Sequence, residues 1–297
     1  MRRALVAAAL ALALLVGAAA AWSAWDVARF DVESLARRTP ERTALMRQRE
    51  DEARRSGTRL AIDVRSVAYE RISPLLRRAI LIAEDDAFFS HGGLDWAEMR
   101  ASARKNLDQG RVVRGGSTIT QQLAKNLFLG SERSLTRKFR EAFLAMRIER
   151  ALTKRRIFEL YLNRIEWGRG IFGAEAAARR HFGVPASTLN PRQALLLAAV
   201  IINPIRYSVH SPAPRIQGRV KMIAGRMRRR GYLDAAQYRE ALGLPPELQI
   251  PPEPAADTLG WPTERPGQDS SGAPHPWVAE PDSQMQEPSP PPDSIGI

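Results

Sequence analysis

Three groups of side chains in this sequence have the types and spacing for chemistry. Glu84, Asp85 and Asp86 stand in a row and are followed at once by Phe88, Phe89, His91, Gly92 and Gly93. A carboxylate held beside apolar rings has its charged form disfavoured, which moves it toward general-base duty near neutral pH. Taken alone, the same three acids are equally a solvated helix end. The second group is Arg114-Gly115-Gly116-Ser117-Thr118-Ile119-Thr120-Gln121-Gln122-Leu123-Ala124-Lys125-Asn126. Its glycines free the backbone for close approach, and the hydroxyl and amide groups behind them form a dense row of donors and acceptors suited to an anionic or sugar ligand. So many polar groups at a helix start are costly unless something binds them. In the third group Arg137, Lys138 and Glu141 are spaced so that Glu141 meets both bases. In isolation that is a helix ion pair worth roughly a few tenths of a kcal/mol.

Helices must position these groups. Ser73-Pro74 reads as an N-cap with proline in the first turn, and Leu76, Ile80 and Ala83 give the helix an inward face that brings Glu84 to its C-terminal end. Acids there oppose the helix dipole, which is locally unfavourable. A further helix from Arg133 to Arg150 carries a stripe of Phe139, Phe143, Met146 and Arg150. Residues 26–70 are Arg-rich and loosely periodic, and read as a linker with a small edge element around Ile62, Val64 and Val67.

The compartment is set at the start of the chain. Met1-Arg2-Arg3 precedes an unbroken apolar run from Ala4 to Ala21, closed by Trp22 and Trp25. At ~1.5 Å rise per residue the run spans about 27 Å, enough to cross a bilayer core. The arginines ahead of it and the tryptophans after it place the N-terminus in the cytoplasm and the body outside. Small residues at Ala18 to Ala21 also suit a cleaved signal peptide, but the run is longer than a typical signal core, which favours an uncleaved anchor.

Composition removes other chemistries. With no cysteine among 297 residues there is no disulfide framework, thiolate nucleophile, Cys-ligated zinc or iron–sulfur cluster. The four histidines are too scattered for a zinc site. The formal charge is +13, and only five of the 45 basic residues are lysine. Arginine's fixed fork of donors suits phosphate and carboxylate partners. That charge is unevenly placed, because residues 245–297 hold nine acids, one base and 14 of the 21 prolines. The tail thus carries −8 and leaves +21 on residues 1–244. It has too little apolar surface to offset chain entropy and reads as a solvated, Pro-rich acidic extension.

Together these segments resemble the peptidoglycan glycosyltransferase family of lysozyme-like fold, most closely its monofunctional members, from Ile72 to Ser208 with a weaker continuation to Leu244. EDDAFFSHGG is similar to the family's first signature at Glu84, Asp85, Phe88, His91 and Gly93, and GGSTITQQLAKN to the second. Arg137, Lys138 and Glu141 match the third. LYLNRIEWGRGIFGAEAAARRHFG carries Glu159, Tyr161, Leu162, Asn163, Gly168, Gly173, Ala177 and Phe182 in the places of the fourth, and ALLLAAVIINPIRY resembles the fifth. The resemblance implies a mainly α fold: a lysozyme-like glycosyltransferase domain with a small membrane-associated jaw, preceded by one transmembrane helix. The domains expected are a cytoplasmic N-terminus (1–3), a signal-anchor (4–25), a linker (26–70), the glycosyltransferase domain (71–244) and the acidic tail (245–297). Leu94 to Val113, where apolar Leu94, Trp96, Met99, Leu107, Val112 and Val113 alternate with Arg100, Arg104, Lys105 and Arg111, suits the jaw.

The activity implied is polymerisation of lipid II and a lipid-linked glycan chain into β-1,4 strands, with undecaprenyl pyrophosphate as leaving group and inversion at the donor carbon. Glu84 is then the general base, and Glu141 the second acid, orienting the basic set or holding an optional Mg²⁺ or Mn²⁺. Lys125, Arg133, Arg137 and Lys138 face the pyrophosphate. Ser117, Thr118, Gln121, Gln122, Asn126, His91 and Asn163 complete the substrate-binding set. Membrane lipids, and proteins of the division or elongation machinery, are the partners implied, on the outer face of the cytoplasmic membrane; nucleic acid is excluded by location. His181, Val184 and Gln193 depart from the family's usual residues, away from the carboxylate and basic positions. No Ser-x-x-Lys, Ser-x-Asn and Lys-Thr-Gly set of a transpeptidase occurs. A lytic muramidase of the same fold and a non-catalytic cell-wall scaffold are the alternatives. The first has no use for cations around a leaving group, and the second would be expected to lack Glu84 or Glu141.

Overall fold

The computed structural model describes residues 2–110, 116–131 and 134–245. The mainly α expectation holds. The apolar run forms α1 (Arg2–Val27), of which Leu10–Val27 is long and apolar enough to cross a bilayer. Leu10, Leu12, Leu14 and Leu15 on it are exposed.

Residues 26–70 are not the linker expected. They contain α2 (Ala44–Arg55), N-capped by Thr43, whose hydroxyl accepts from the Met46 N–H at 3.1 Å. Only Leu45, Met46 and Ala53 of this helix are buried, too few to give a visible period. An ion pair docks it instead: Arg49, held within the helix by Glu52, reaches Glu166, 117 positions away, at 2.9 Å. The edge element exists as β1 (Asp63–Val64).

The chain then runs through α3 (Pro74–Glu84), α4 (Trp96–Asp108) and α5 (Ile119–Ala124). A π-helical turn (Lys125–Leu129) follows, then α6 (Leu135–Ala151) and α7 (Lys154–Arg164). Beyond them lie β2 (Glu166–Gly168), β3 (Ile171–Phe172), α8 (Ala174–Phe182), α9 (Pro191–Val200), α10 (Pro214–Arg229) and α11 (Ala235–Leu242). The sheet has the order β1-β3-β2, with β1 parallel and β2 antiparallel to β3.

The core is built around α9, whose residues Ala194 to Val200 are all buried. A helix apolar all round belongs inside a fold, and α3 and α10 pack against it. Pro191 in its first turn and a capping box between Asn190 and Gln193 fix its start. Gln193, a departure from the family pattern, is thereby explained: a glutamine closes that box as an acid would. His181, another departure, reaches the Trp167 carbonyl at 3.1 Å, and Val184 packs partly buried against the core.

Two sequence readings shift in detail. Ser73 takes the N-cap position of α3, but its side chain makes no cap bond. The buried stripe of α6 is Glu141, Leu144, Ala145 and Ile148 rather than Phe139, Phe143, Met146 and Arg150. The aromatic residues drew the eye to one edge of a helix whose smaller side chains face the core. The acidic tail from residue 246 onward lies outside the described residues.

Candidate active site

Glu84 is the last residue of α3, and Asp85 caps that helix in a non-helical conformation. This break turns the two carboxylates to different tasks. Asp85 is 8% exposed and accepts from the Ile119 N–H, the first of α5, at 2.9 Å and from His91 Nε2 at 3.0 Å. Its charge thus satisfies an orphan donor at a helix N-terminus. Asp86 pairs with Arg230. Glu84 alone is left facing the polar side chains of α5.

Among the described residues each Glu84 oxygen has one hydrogen-bond partner. Gln122 Nε2 donates to Oε2 at 3.1 Å, and Arg219 Nη2 donates to Oε1 at 2.8 Å. Tyr161 donates its hydroxyl to the Gln122 carbonyl oxygen at 3.0 Å, which turns the amide donor toward the carboxylate. Burial, with the charges of Glu84 and Asp85 adding to it, raises the Tyr161 pKa well above the ordinary phenol value, so the hydroxyl stays a donor. Burial also raises the Glu84 pKa; Arg219, Gln122 and Lys125 oppose that rise. With its side chain still 13% exposed, Glu84 is a desolvated carboxylate within reach of a ligand, as a general base requires.

The second carboxylate sits among cations. Glu141 is 3% exposed and is paired with Arg137 and, at 2.9 Å, with Lys138. Lys138 also donates to Ser117 Oγ at 2.8 Å, joining the loop before α5 to α6. Burial and the neighbouring Arg137 and Lys125 push Lys138 down to about 8. Lys125, at the head of the π-turn, is lowered by burial, by Arg137 and by Arg49, against the opposing pull of Glu84. Cations that depress one another are relieved by an anion. The two oxygens of Glu141 are paired with side-chain cations, Oε1 with Arg137 and Oε2 with Lys138. Asp85, His91 and Asp95 offer ligand atoms within 4.8 Å of one another. Asp85 and His91 are hydrogen-bonded to each other, and Asp95 Oδ1 accepts from the Glu98 N–H at 2.8 Å.

The structure therefore brings Glu84, Gln122, Lys125, Ser117, Arg137, Lys138 and Glu141 into one constellation. It gives other expected substrate residues a different task. Thr118 and Gln121 form a reciprocal capping box at the start of α5, at 3.0 and 3.2 Å, and Thr118 also donates to the Gly93 carbonyl at 2.6 Å. His91 is spent on Asp85, and Asn126 is buried. Asn163 is 2% exposed, with its amide bonded to the backbone of Val67 and Glu159, so it braces the chain and has nothing left for a substrate. Arg133 and the Arg114-Gly115 pair lie outside the described residues. Sequence reasoning passed over Arg219, whose position in α10 carries no local signal, and gave no site role to Tyr161.

Residues 55–228 match the family model described as Transglycosylase. The chain is 45% identical over 188 residues to a protein of Nitrosospira multiformis named biosynthetic peptidoglycan transglycosylase, across 63% of this chain and 82% of that protein. A protein of the same name from an Azoarcus species is 46% identical over 206 residues, 69% of this chain and 88% of the relative. One from Chromobacterium violaceum is 50% identical over 161 residues, 54% and 71% of the two chains. Every constellation residue from Glu84 to Arg219 falls within the matched span.

Proposed function

The chain belongs to the transglycosylase family and acts as a peptidoglycan glycosyltransferase in cell-wall synthesis; from that premise we propose how its site performs the transfer. The substrate is a lipid-linked disaccharide–peptide, joined to a growing lipid-linked glycan. Glu84 accepts the proton of the acceptor sugar's 4-hydroxyl as that oxygen attacks the donor's anomeric carbon. The bond from that carbon to the pyrophosphate breaks, and the electron pair leaves with undecaprenyl pyrophosphate. Attack opposite the leaving group converts an α linkage into a β-1,4 bond in one displacement, following the logic of inverting glycosidases with a sugar hydroxyl in place of water.

The leaving group departs with its charge intact, so fixed cations serve it better than an acid. Lys125, Arg137 and Lys138 meet that charge, with Arg133 assigned to the same set by its place in the motif. Glu141 keeps Arg137 and Lys138 in place between turnovers. Arg219 and the Tyr161–Gln122 pair hold the Glu84 carboxylate in the orientation for attack. The observation that carries the reading is one nearly buried carboxylate, Glu84, held by Gln122 and Arg219, beside a separate cationic cluster in which Arg137 and Lys138 flank Glu141 and Lys138 reaches Ser117.

In the same proposal α1 spans the cytoplasmic membrane, Arg2 and Arg3 stay inside, and the domain lies on the outer, periplasmic face. Trp96, 59% exposed, and Leu107, 82% exposed, suit α4 to insertion at the membrane surface. The chain has no transpeptidase activity. The test is incubation of the purified protein with lipid-linked precursor. Glycan polymer and free undecaprenyl pyrophosphate are the expected products. Release of anhydromuramyl products from polymeric peptidoglycan, without polymer synthesis, would establish a muramidase instead.

A further inference from the structure

Most of α1 touches little, but its last turns are fastened to the helix that carries Glu141. Trp22 and Asp26, one turn apart on α1, clasp the Arg140 guanidinium of α6. The Arg140 Cζ lies 4.5 Å from the Trp22 ring centroid, and its Nε lies 2.9 Å from Asp26 Oδ2. The other Asp26 oxygen pairs with Arg29 at 2.9 Å, and the Asp26 side chain is 4% exposed. Two turns further along α6, Arg147 donates to the Val27 carbonyl at 2.5 Å and to Glu33 at 3.1 Å. That carbonyl also accepts from the Phe30 N–H at 3.2 Å, so Arg147 adds a charged donor at the C-terminal end of α1, where a cation is favoured. Just past that end Phe30 packs on Phe128, ring centroids 5.0 Å apart, and Phe128 belongs to the π-turn headed by Lys125.

The segment Trp22–Phe30 therefore grips both elements that hold the site's cations. Apolar packing alone would bind α1 to α6 without fixing its rotation or register. A planar guanidinium held between a ring face and a carboxylate fixes both, at the cost of desolvating the charges. A lipid-linked donor presents its pyrophosphate at a set depth in the membrane surface, so the cations that meet it must sit at a matching depth.

We propose that this joint is a positioning device for the transfer: Asp26, Arg140 and Arg147 set the depth and tilt of α6 and the π-turn against the bilayer, aligning Lys125, Arg137 and Lys138 with the donor's pyrophosphate. Arg140 and Asp26 are positioning residues, acting through the cations and touching no substrate. The inference rests on the functional reading above, and on α1 as the membrane span.

The test uses the full chain with lipid-linked precursor, either reconstituted in vesicles of phosphatidylethanolamine and phosphatidylglycerol or held in detergent micelles that impose no plane. Asp26→Asn, Arg140→Gln and their double variant are compared with wild type in kcat, KM and thermal unfolding. In vesicles kcat falls about tenfold or more, since a misplacement of about 1 Å can cost up to about a hundredfold. In micelles it changes by less than about twofold, and the double variant loses no more than the worse single one, because the two residues act as a unit. If either variant fails to fold, Arg140→Lys, which keeps the charge but loses the planar guanidinium, falls to half the wild-type vesicle rate or lower while its micelle rate holds. Vesicle rates equal to wild type in folded variants, or equal losses in micelles and vesicles, would overturn the joint. Absence of polymer from the wild-type protein in both media would overturn the functional reading instead.

Discussion

Arg219 is the side chain that most changes the picture of the base. Its guanidinium lies 2.8 Å from Glu84 and holds down a pKa that burial pushes up. Removing it in Arg219→Gln lets the Glu84 pKa rise further, so a higher pH is needed to ionise the base. The acid limb of the pH profile of kcat/KM moves to higher pH in that variant. A limb that stays in place or moves down would show that Arg219 does not tune the base. Lys138 makes the complementary prediction at the other end of the profile. It titrates near 8, so raising the pH through that value removes one cation from the leaving-group cluster and the rate falls. Lys138→Arg keeps its charge throughout, and the alkaline limb of this variant shifts upward relative to wild type.

Among the elements, the loop between α3 and α4 depends on a close approach that only glycine allows. Gly93 has φ +90°, and a Cβ added there would lie 2.8 Å from Glu149 Cγ and 3.1 Å from the Ala145 carbonyl oxygen of α6. Its own carbonyl takes the Thr118 hydroxyl. Gly93→Ala therefore strains the backbone and pushes the loop off α6, a loss of about 1–3 kcal/mol from the conformation alone, checked by denaturant unfolding. The elements around the chemistry were legible wherever the signal was local. Pro74 marked the start of α3, the row of polar residues after Gly116 marked α5, and Glu141 could be placed with Arg137 and Lys138 by counting turns. What stayed hidden needed contacts across the chain. The cationic partner of Glu84 lies 135 positions away, α2 is docked by an ion pair across 117 positions, and Asn163 is consumed by Val67 across 96. A capping box also looks in sequence like a row of ligand donors, which is why Thr118 and Gln121 read as substrate contacts.

For the whole molecule, charge distribution governs where the enzyme works. Residues 1–244 carry +21 and the tail −8, so the domain's excess is available to an anionic membrane face beyond the few cations used in catalysis. Binding to vesicles containing phosphatidylglycerol should weaken as salt is raised, because exposed charges are screened over about 8 Å at physiological ionic strength. A sedimentation assay checks this, and binding that is indifferent to salt would assign the attachment to α1 and α4 alone. The proposed mechanism makes Glu84 the base of a glycosyl transfer whose leaving group is handled by a separate set of cations. It is tested most directly by glycan polymerisation from purified lipid-linked precursor with Glu84→Gln beside wild type. Glutamine keeps the size of the side chain and can still face Gln122 and Arg219, so the variant should fold and bind precursor while forming no polymer. Polymer made by folded Glu84→Gln at a rate near that of wild type would contradict the account.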